Sequence, residues 1–184
     1  MRTFIVLIPC LTSLQSSIPL FSRVIVYTFL ISHNIRRDTN LTLYLMKEHT
    51  IIVFHGSKLK RIYPDERSLS GVYRKIIRFI KNRKSGSPHT GIYVSERSLE
   101  DLIKSLHGSK YYIHNKGIDP LNMEVHPLGV NIFLSYGETK NMEPPTLCKK
   151  KKLKALKIPV KVFNLDQQIA IIQSIIDRRL HKWI

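Results

Sequence analysis

The sequence contains few cysteines, and none of them is spaced for metal binding. Only Cys10 and Cys148 occur in 184 residues, far apart and outside any Cys-x-x-Cys or Cys/His pattern. This absence argues against a disulfide framework and against a zinc site, and it predicts a reducing, cytoplasmic setting with no metal. Glycine-rich nucleotide loops, the G-x-S-x-G elbow and the H-E-x-x-H motif are also missing, which leaves no common catalytic signature.

Long hydrophobic runs are missing as well. The apolar start "MRTFIVLIPCL" contains a single arginine as its charged n-region and has no small-residue cleavage site after it, so we expect a buried first strand and not a signal peptide. The next apolar stretch, "IPLFSRVIVYTFLI", contains Arg23 and is too short and too charged to span a bilayer core of roughly 30 Å. The sequence therefore predicts no membrane segment.

Acidic residues are scarce relative to basic ones. Thirty Lys and Arg stand against 13 Asp and Glu, which gives a net charge of +17 and a pI near 10.1. Such an excess favours a polyanionic partner, because each cation that meets a phosphate releases condensed counterions. Nucleic acid is the leading candidate. A solubility device, or the lysine enrichment of a thermophile, is the alternative.

The pattern of apolar residues predicts a single α/β domain over residues 1–184. Short β-rich runs alternate with segments of helical spacing, as in a sheet whose crossovers are helices. The predicted helices cover 17–31, 66–82 and 166–183, and a surface loop covers 84–91. Residues 137–157 are rich in proline and lysine, which indicates a surface loop that runs into a basic helix. The predicted strands are 3–9, 41–46, 51–56, 91–95, 110–115, 130–135 and 158–163.

The helix predicted at 66–82 has a strongly basic face. Pro64 and Asp65 are good starting residues, since proline tolerates a first turn and an acidic side chain complements the helix dipole. The polar face consists of Arg74, Lys75, Arg78, Lys81, Arg83 and Lys84. A solvated face without a partner is the alternative to a surface that binds phosphate.

Two charged motifs identify a family. "SHNIRRD" at 32–38 and "SKLKRIYPDERS" at 57–68 resemble patterns of the archaeal tRNA pseudouridine-54 N1-methyltransferases, which belong to the SPOUT class. "RTFIVL", "TGIYVSERSLEDLI", "KYYIHNKGID" and "IIQSIIDRRL" resemble the same family, in the same order along nearly the whole chain. Two charged motifs in the correct order are difficult to obtain by chance.

This resemblance implies a SPOUT-type α/β fold with a C-terminal trefoil knot, a homodimer, and S-adenosyl-L-methionine as cofactor. The expected reaction is N1-methylation of pseudouridine in the T-loop of tRNA. Three alternatives stay open: methylation of pseudouridine in ribosomal RNA, a divergent RNA-binding paralogue that transfers no methyl group, and an unrelated basic α/β protein. The last helix favours a dimer through its wide apolar stripe, which includes Ile169, Ile171, Ile172, Ile175 and Ile176. Burial of this stripe within the same chain is the alternative.

The resemblance also implies a site. Arg36, Arg37 and Asp38 are the expected catalytic residues, with the arginines holding phosphate through their planar forks and Asp38 orienting an arginine or accepting from the base. Asp65, Glu66 and Arg67 are the expected substrate-binding residues. The alternative is that these charged groups only form ion pairs and a helix N-terminus.

The expected cofactor-binding residues are Ile113, Leu134, Ser135, Gly137 and Gln168. Here the chain departs from the family pattern. "FLSYGETKN" replaces a glycine by Ser135, and "IPVKVFNLDQQIA" stands where a loop containing glycine and proline is expected. Knot loops hold their cofactor largely through backbone groups, so such changes are compatible with binding unless an added Cβ blocks close approach.

Overall fold

The structure is a computed structural model that describes residues 1–31, 34–137, 153–158 and 163–180, apart from the side chains of Glu66 and Leu180. Some predictions therefore lie wholly or partly outside the described residues. They concern the Glu66 side chain, the first two residues of the motif at 32–38, most of the loop at 137–157, most of the strand at 158–163 and the end of the helix at 166–183.

Strands and helices alternate, as the sequence predicts. The helices are α1 (Leu11–Gln15), α2 (Ile18–Phe29), α3 (Glu66–Lys81), α4 (Leu99–Ser105) and α5 (Leu165–Leu180), with a 3₁₀ turn at Pro120–Asn122. The strands are β1 (Arg2–Ile8), β2 (Leu30–Ile31), β3 (Asn34–Ile35), β4 (Thr39–Leu45), β5 (Thr50–His55), β6 (Gly86–His89), β7 (Ile92–Glu96), β8 (Ser109–His114), β9 (Val130–Ser135) and β10 (Lys154–Lys157).

Eight strands form one sheet in the order β10-β8-β9-β1-β4-β5-β7-β6, and β2 pairs with β3. The strands from β10 to β4 are parallel, whereas β5, β7 and β6 are added antiparallel. The parallel strands all begin at one edge of the sheet, here called the amino edge, and end at the opposite, carboxyl edge. Because β5 runs the other way, with His55 opposite Asn40, β5 ends at the amino edge.

The two faces of the sheet are covered unequally. Alternate residues of β1 point to opposite faces, so Phe4, Val6 and Ile8 join the larger core with side chains from α2, α3 and α5. Ile5 and Leu7 join a smaller core on the second face, together with Leu102 and Ile103 of α4. A seven-residue helix covers little of that second face.

Several predicted elements are wrong. The expected loop at 84–91 contains β6, and the expected basic helix contains β10, whose Leu156 is fully buried opposite Ile113 of β8. Pairing at a buried sheet position here outweighs lysine's helix propensity. Ile158 lies after β10 and not in a strand, and α4 was not predicted. No helix in the described ranges is long and apolar enough to cross a membrane.

Candidate functional site

The segment Arg36–Asp38 is a turn that leads into β4 at the amino edge. Backbone hydrogen bonds fix it on both sides: Arg36 N donates to Phe29 O at 2.7 Å, and Arg2 N donates to Asp38 O at 2.9 Å. Gly56, after β5, allows this turn to come close, because a Cβ there would lie 2.3 Å from the Arg36 carbonyl oxygen. The first charged motif is thus held rigidly by β1, α2 and β5.

Arg2 is the centre of a buried ionic network. The residue is 3% exposed, and its guanidinium donates to Asp38 Oδ2 from Nε at 3.1 Å and from Nη2 at 2.8 Å. Its Nη1 donates to Gln173 Oε1 at 2.6 Å and to Asp177 Oδ1 at 2.7 Å. Gln173 in turn donates to Thr28 O at 2.8 Å. The network ties the first strand, the charged turn and α5 together.

Arg36 is clamped by the same helix. Its Nη1 and Nη2 lie 2.8 Å and 2.7 Å from Asp177 Oδ1 and Oδ2, a two-bond arrangement typical of strong arginine–carboxylate pairs. Burial alone would raise the pKa of Asp177, but hydrogen bonds from Arg36 and Arg2 outweigh it and hold that pKa below its ordinary value. The buried Arg36 Nε has no hydrogen-bond partner in the described part of the chain.

Arg37 links the two charged motifs. Its Nη1 donates to Gly56 O at 3.1 Å and to Leu59 O at 3.0 Å, which fixes the start of the loop from β5 to α3. Since β5 ends at the amino edge, the second motif begins at the same edge as the first.

The second motif forms the N-terminus of α3. Asp65 is the N-cap, and its side chain accepts a hydrogen bond from Ser68 N at 2.7 Å. That bond, made to the ionised carboxylate, lowers the pKa of the exposed Asp65. Arg67 is exposed beside it. The contacts of Asp65 are therefore those of a helix N-terminus, which was the alternative to substrate binding. A role in substrate binding stays a prediction.

Exposed cations continue from this end of α3 along its outer face. None of these side chains lies within ion-pair distance of a carboxylate in the described ranges: Arg67, Arg74, Lys75, Arg78, Lys81, Arg83 and Lys84. Unneutralised cations on one helix face form the kind of surface that binds a phosphate backbone.

The residues expected to bind the cofactor lie mainly at the carboxyl edge. Ile113 is near the end of β8, while Leu134 and Ser135 end β9, with Ser135 opposite Leu7 of β1. Gly137 follows with φ +68°, a conformation that glycine adopts without strain. Gln168 lies in the first turns of α5, where its side-chain amide donates to Phe163 O at 2.9 Å.

These residues fit a cofactor that is held by backbone groups. The chain turns away after β9 at a glycine with positive φ, and Ser135 itself has no left-handed backbone, so its Cβ introduces no strain there. The carboxyl ends of parallel strands are also where open α/β sheets bind their ligands. The replacement of glycine by serine is thus compatible with a cofactor at this edge.

The two groups of residues are far apart within one chain. Arg2, next to the charged turn, and Leu7, next to Ser135, are five residues apart on β1, which corresponds to about 17 Å along a strand. The residues predicted to face the substrate and those predicted to bind the cofactor therefore lie at opposite edges of the same sheet.

Sequence reasoning missed Arg2, Gln173 and Asp177 as parts of the site. Arg2 and Asp177 are separated by 175 positions, so no local motif connects them. Asp38 does hold an arginine, as the resemblance implied, and that arginine is Arg2. Within the described ranges, no group of three His, Cys, Asp or Glu side chains could hold a metal ion.

Comparisons with known proteins agree on one family. Residues 14–180 match a family model described as "Putative SAM-dependent RNA methyltransferase". A relative from Methanopyrus kandleri is 30% identical over 162 residues, covering 86% of this chain and 78% of its own. A relative from Methanocella arvoryzae is 28% identical over 165 residues, covering 87% and 84%. Both relatives are named tRNA (pseudouridine(54)-N(1))-methyltransferase.

The fold also matches a solved structure. The crystal structure of Archaeoglobus fulgidus Nep1 bound to S-adenosylhomocysteine superimposes with a TM-score of 0.61, covering 89% of this chain and 71% of that one. At 13% identity this likeness concerns the fold alone.

Proposed function

The chain belongs to this family of SAM-dependent RNA methyltransferases, and we propose that it methylates N1 of pseudouridine 54 in the T-loop of tRNA. The observation that carries the proposal is the amino edge, where Arg37 joins the two charged motifs that resemble the family. The names of the relatives supply the nucleoside and its position.

The chemistry asks for a base and for cations near the nucleoside. S-adenosylmethionine supplies an electrophilic methyl group carried on a sulfonium. As N1 of pseudouridine forms its new bond to carbon, its N–H proton must leave, and a carboxylate near that proton lowers the barrier. Asp38 is suited to this role, since Arg2 occupies Oδ2 while Oδ1 accepts only a 3.3 Å contact from Thr39 among the described residues. Half of its side chain is exposed to an incoming base.

The arginines have different tasks in this proposal. Arg36 stays aligned by Asp177 and holds the charged turn against α5. Arg37 shapes the loop before α3. Phosphates of the tRNA bind the exposed cations of α3, with Arg67 at the helix start and the flanking Asp65 and Glu66 completing the substrate-binding turn.

The finer architecture is part of the same proposal. A SPOUT-type fold with a trefoil knot would place the cofactor against Ile113, Leu134, Ser135 and Gly137, with α5 and Gln168 behind it. The loop that follows β8 returns to the sheet, where Ile118 pairs with Leu156 on the outer side of β10. A tRNA substrate also fits the cytoplasmic setting that the cysteine content predicts.

A homodimer would bring the two edges together. α2 and α5 lie side by side, tied by Arg23 to Asp166 at 2.9 Å and by Gln173 to Thr28. Their outer side presents Tyr27, which is 46% exposed, next to a cavity of about 310 Å³ beside Arg36. In this proposal two copies meet through the outer side of α2 and α5, related by a two-fold axis perpendicular to these helices. The amino edge of one copy then lies against the carboxyl edge of the other.

The direct test is methyl transfer from labelled S-adenosylmethionine to two tRNA transcripts, one with pseudouridine at position 54 and one with uridine. We expect one methyl group per tRNA only with pseudouridine, because N1 of uridine is already bonded to ribose. A ribosomal RNA hairpin with pseudouridine is the competing substrate. Binding of tRNA without cofactor binding and without transfer would favour the RNA-binding paralogue.

A further inference from the structure

The second face of the sheet contains a groove that the proposed reaction does not use. The groove has a volume of about 620 Å³, within the range of sites for small organic groups. Side chains from β1, β4, β5 and β7 form its floor, and the end of α4 with the adjoining loop forms one wall. Among the described residues, α4 covers only part of this face.

Polar groups on the floor have unused hydrogen-bonding capacity. Thr3 is 7% exposed and Thr42 3%, and both line the groove. Neither hydroxyl has a hydrogen-bond partner among the described residues, and the same holds for the side chains of Ser95 and Tyr93, which also line the groove. The hydroxyl oxygens of Thr3 and Thr42 are therefore open to the groove, where they can bond to a polar ligand as readily as to water.

The rim is apolar and includes a flat ring. Three large apolar side chains stand exposed around it: Met1 at 69%, Tyr93 at 45% and Leu128 at 64%. A tyrosine on an open sheet face is a stacking surface for a planar heterocycle. Apolar walls above a hydrogen-bonding floor match a nucleobase, which has π faces and a polar edge.

Position favours RNA as the source of that base, although Glu96 lines the groove beside Arg97 and offsets its charge. Arg97 lies at the groove and can meet a phosphate, with one donor already directed to Ser105 Oγ at 3.3 Å. Asn40 and His55 line the end that opens at the amino edge, beside the turn Arg36–Asp38. Burial first, and then Lys58, lowers the pKa of His55, so its ring is neutral at pH 7 and can both donate and accept.

We propose that this groove binds one unstacked nucleobase of the RNA that lies along the amino edge, stacked on Tyr93 with its polar edge on Thr3 and Thr42. The site differs from the one that holds the modified nucleoside, and it would hold an extruded neighbour of that nucleoside. It rests on the proposed function only in taking RNA as the partner. Extruded bases of RNA loops are commonly recognised by such stacking and edge contacts.

The test uses the full chain and T-arm hairpins with 2-aminopurine at successive loop positions. At one position we expect fluorescence to fall on binding in wild type and in Tyr93→Phe. Tyr93→Ala should abolish that change and weaken hairpin affinity roughly tenfold. Thr42→Val should weaken affinity several-fold. Thr50→Val is the matched control, because this buried threonine of β5 donates to Glu48 O at 3.0 Å and lies outside the groove.

Melting curves of every variant verify folding. Equal affinity and equal fluorescence change in wild type and Tyr93→Ala would overturn the proposal. So would a Tyr93→Ala variant that alters sedimentation but not RNA affinity, which would assign the groove to a contact between protein chains. Methyl transfer to tRNA is measured in parallel. If wild type transfers none but the Tyr93-dependent change persists, the groove stands and the proposed reaction falls.

Discussion

At the scale of single residues, the structure of the amino edge depends on the ion pairs that two carboxylates form with two arginines. Arg2 is buried and contacts both Asp38 and Asp177, whereas Arg36 contacts Asp177 alone. A buried arginine that loses all its partners is strongly destabilising, but losing one of two leaves it compensated. Asp38 can therefore be changed with little harm to the fold, while Asp177 supports both cations.

Replacing Asp38 with Asn should separate catalysis from stability. The change keeps the shape and removes the charge, so we expect methyl transfer to fall about 100-fold. Because the side chain is half exposed and Arg2 keeps Asp177, the loss of stability should be about 1 kcal/mol. Single-turnover transfer to a pseudouridine-containing T-arm, beside thermal melts, measures both.

The exposed pair of Glu100 and Lys104 provides the control for this variant. Glu100→Gln removes a carboxylate from an ion pair far from the turn and should change neither quantity appreciably. Unchanged turnover in Asp38→Asn would remove Asp38 from the catalytic residues.

Asp177 predicts a particular pH dependence of stability. Its pKa is lowered in the folded state, so its stabilising contribution is complete above the unfolded pKa and is lost as pH falls through the folded one. The difference in unfolding free energy between wild type and Asp177→Asn should be constant above about pH 5 and shrink below about pH 4. Urea titrations across this range measure it. A difference that grows with acidification would contradict the assigned hydrogen bonds.

Sequence motifs located the charged turn because it is continuous in the chain, and the catalytic roles of its residues stay predictions. Arg36, Arg37 and Asp38 were found because they are adjacent in the chain and match a pattern. Arg2 and Asp177 were not, because their contact depends on how β1 and α5 pack in three dimensions. The charge of Arg37 alone also could not show that its guanidinium donates to backbone carbonyls and not to a carboxylate.

At the scale of elements, α3 combines an N-cap with a cationic face. The structure confirms the helix predicted after Pro64 and Asp65, and it shows that Asp65 is the N-cap, with Pro64 lying before the helix. The cap makes Asp65 structurally useful whether or not it contacts substrate. A test of its binding role must therefore keep the cap.

Asp65→Ser and Asp65→Ala distinguish the two roles of this residue. Serine is as good an N-cap as aspartate, so Asp65→Ser should keep the melting temperature, whereas Asp65→Ala should lower it. If the carboxylate orients the substrate, both variants should raise KM for tRNA by a similar factor. A KM that follows only the melting temperature would restrict Asp65 to capping. Steady-state kinetics with parallel melts provide both readouts.

The cationic face of α3 should set the salt dependence of tRNA binding. Each lysine or arginine that meets a phosphate contributes about 1 to the slope of log affinity against log salt. The double change of Arg74 and Arg78 to Gln should therefore reduce the slope by about 2. Lys104→Gln on α4, which removes a cation already paired with Glu100, should leave the slope unchanged. Affinity that is flat with salt in wild type would contradict RNA binding through this face.

Element prediction failed where pairing partners decide the conformation. The sequence "KALK" has no strong strand signal, yet Leu156 fills a buried position between β8 and Ile118. β6 was predicted to be a loop because it contains glycine, serine and proline, but it pairs with β7 as a strand. Local propensity cannot anticipate either partner.

At the scale of the whole molecule, the polarity of the sheet separates the two halves of the site. The residues predicted to face the substrate lie where the parallel strands begin, and those predicted to bind the cofactor lie where the strands end. The class of fold follows from alternating strands and helices, but this separation follows from strand order and direction, which local patterns do not encode. If the proposed reaction uses both sets, we expect it to require a second copy of the chain.

Mixing two inactive variants tests that requirement. Asp38→Asn disables the amino edge, and Gly137→Val, at φ +68°, strains the carboxyl edge. Each homodimer alone should transfer little methyl. After the two are unfolded together and refolded, half of the dimers should be mixed, and each mixed dimer should have one intact site, so roughly a quarter of the wild-type sites should return.

Tyr27→Glu provides the control for complementation, because a charge on the outer side of α2 should break the dimer. Light scattering should then show a monomer, and mixing should restore nothing. Recovered activity with the Tyr27→Glu change in both chains would place the interface elsewhere. A wild-type protein that is monomeric at micromolar concentration yet fully active would overturn the shared site. That result would show that a single chain brings its amino and carboxyl edges together without a partner.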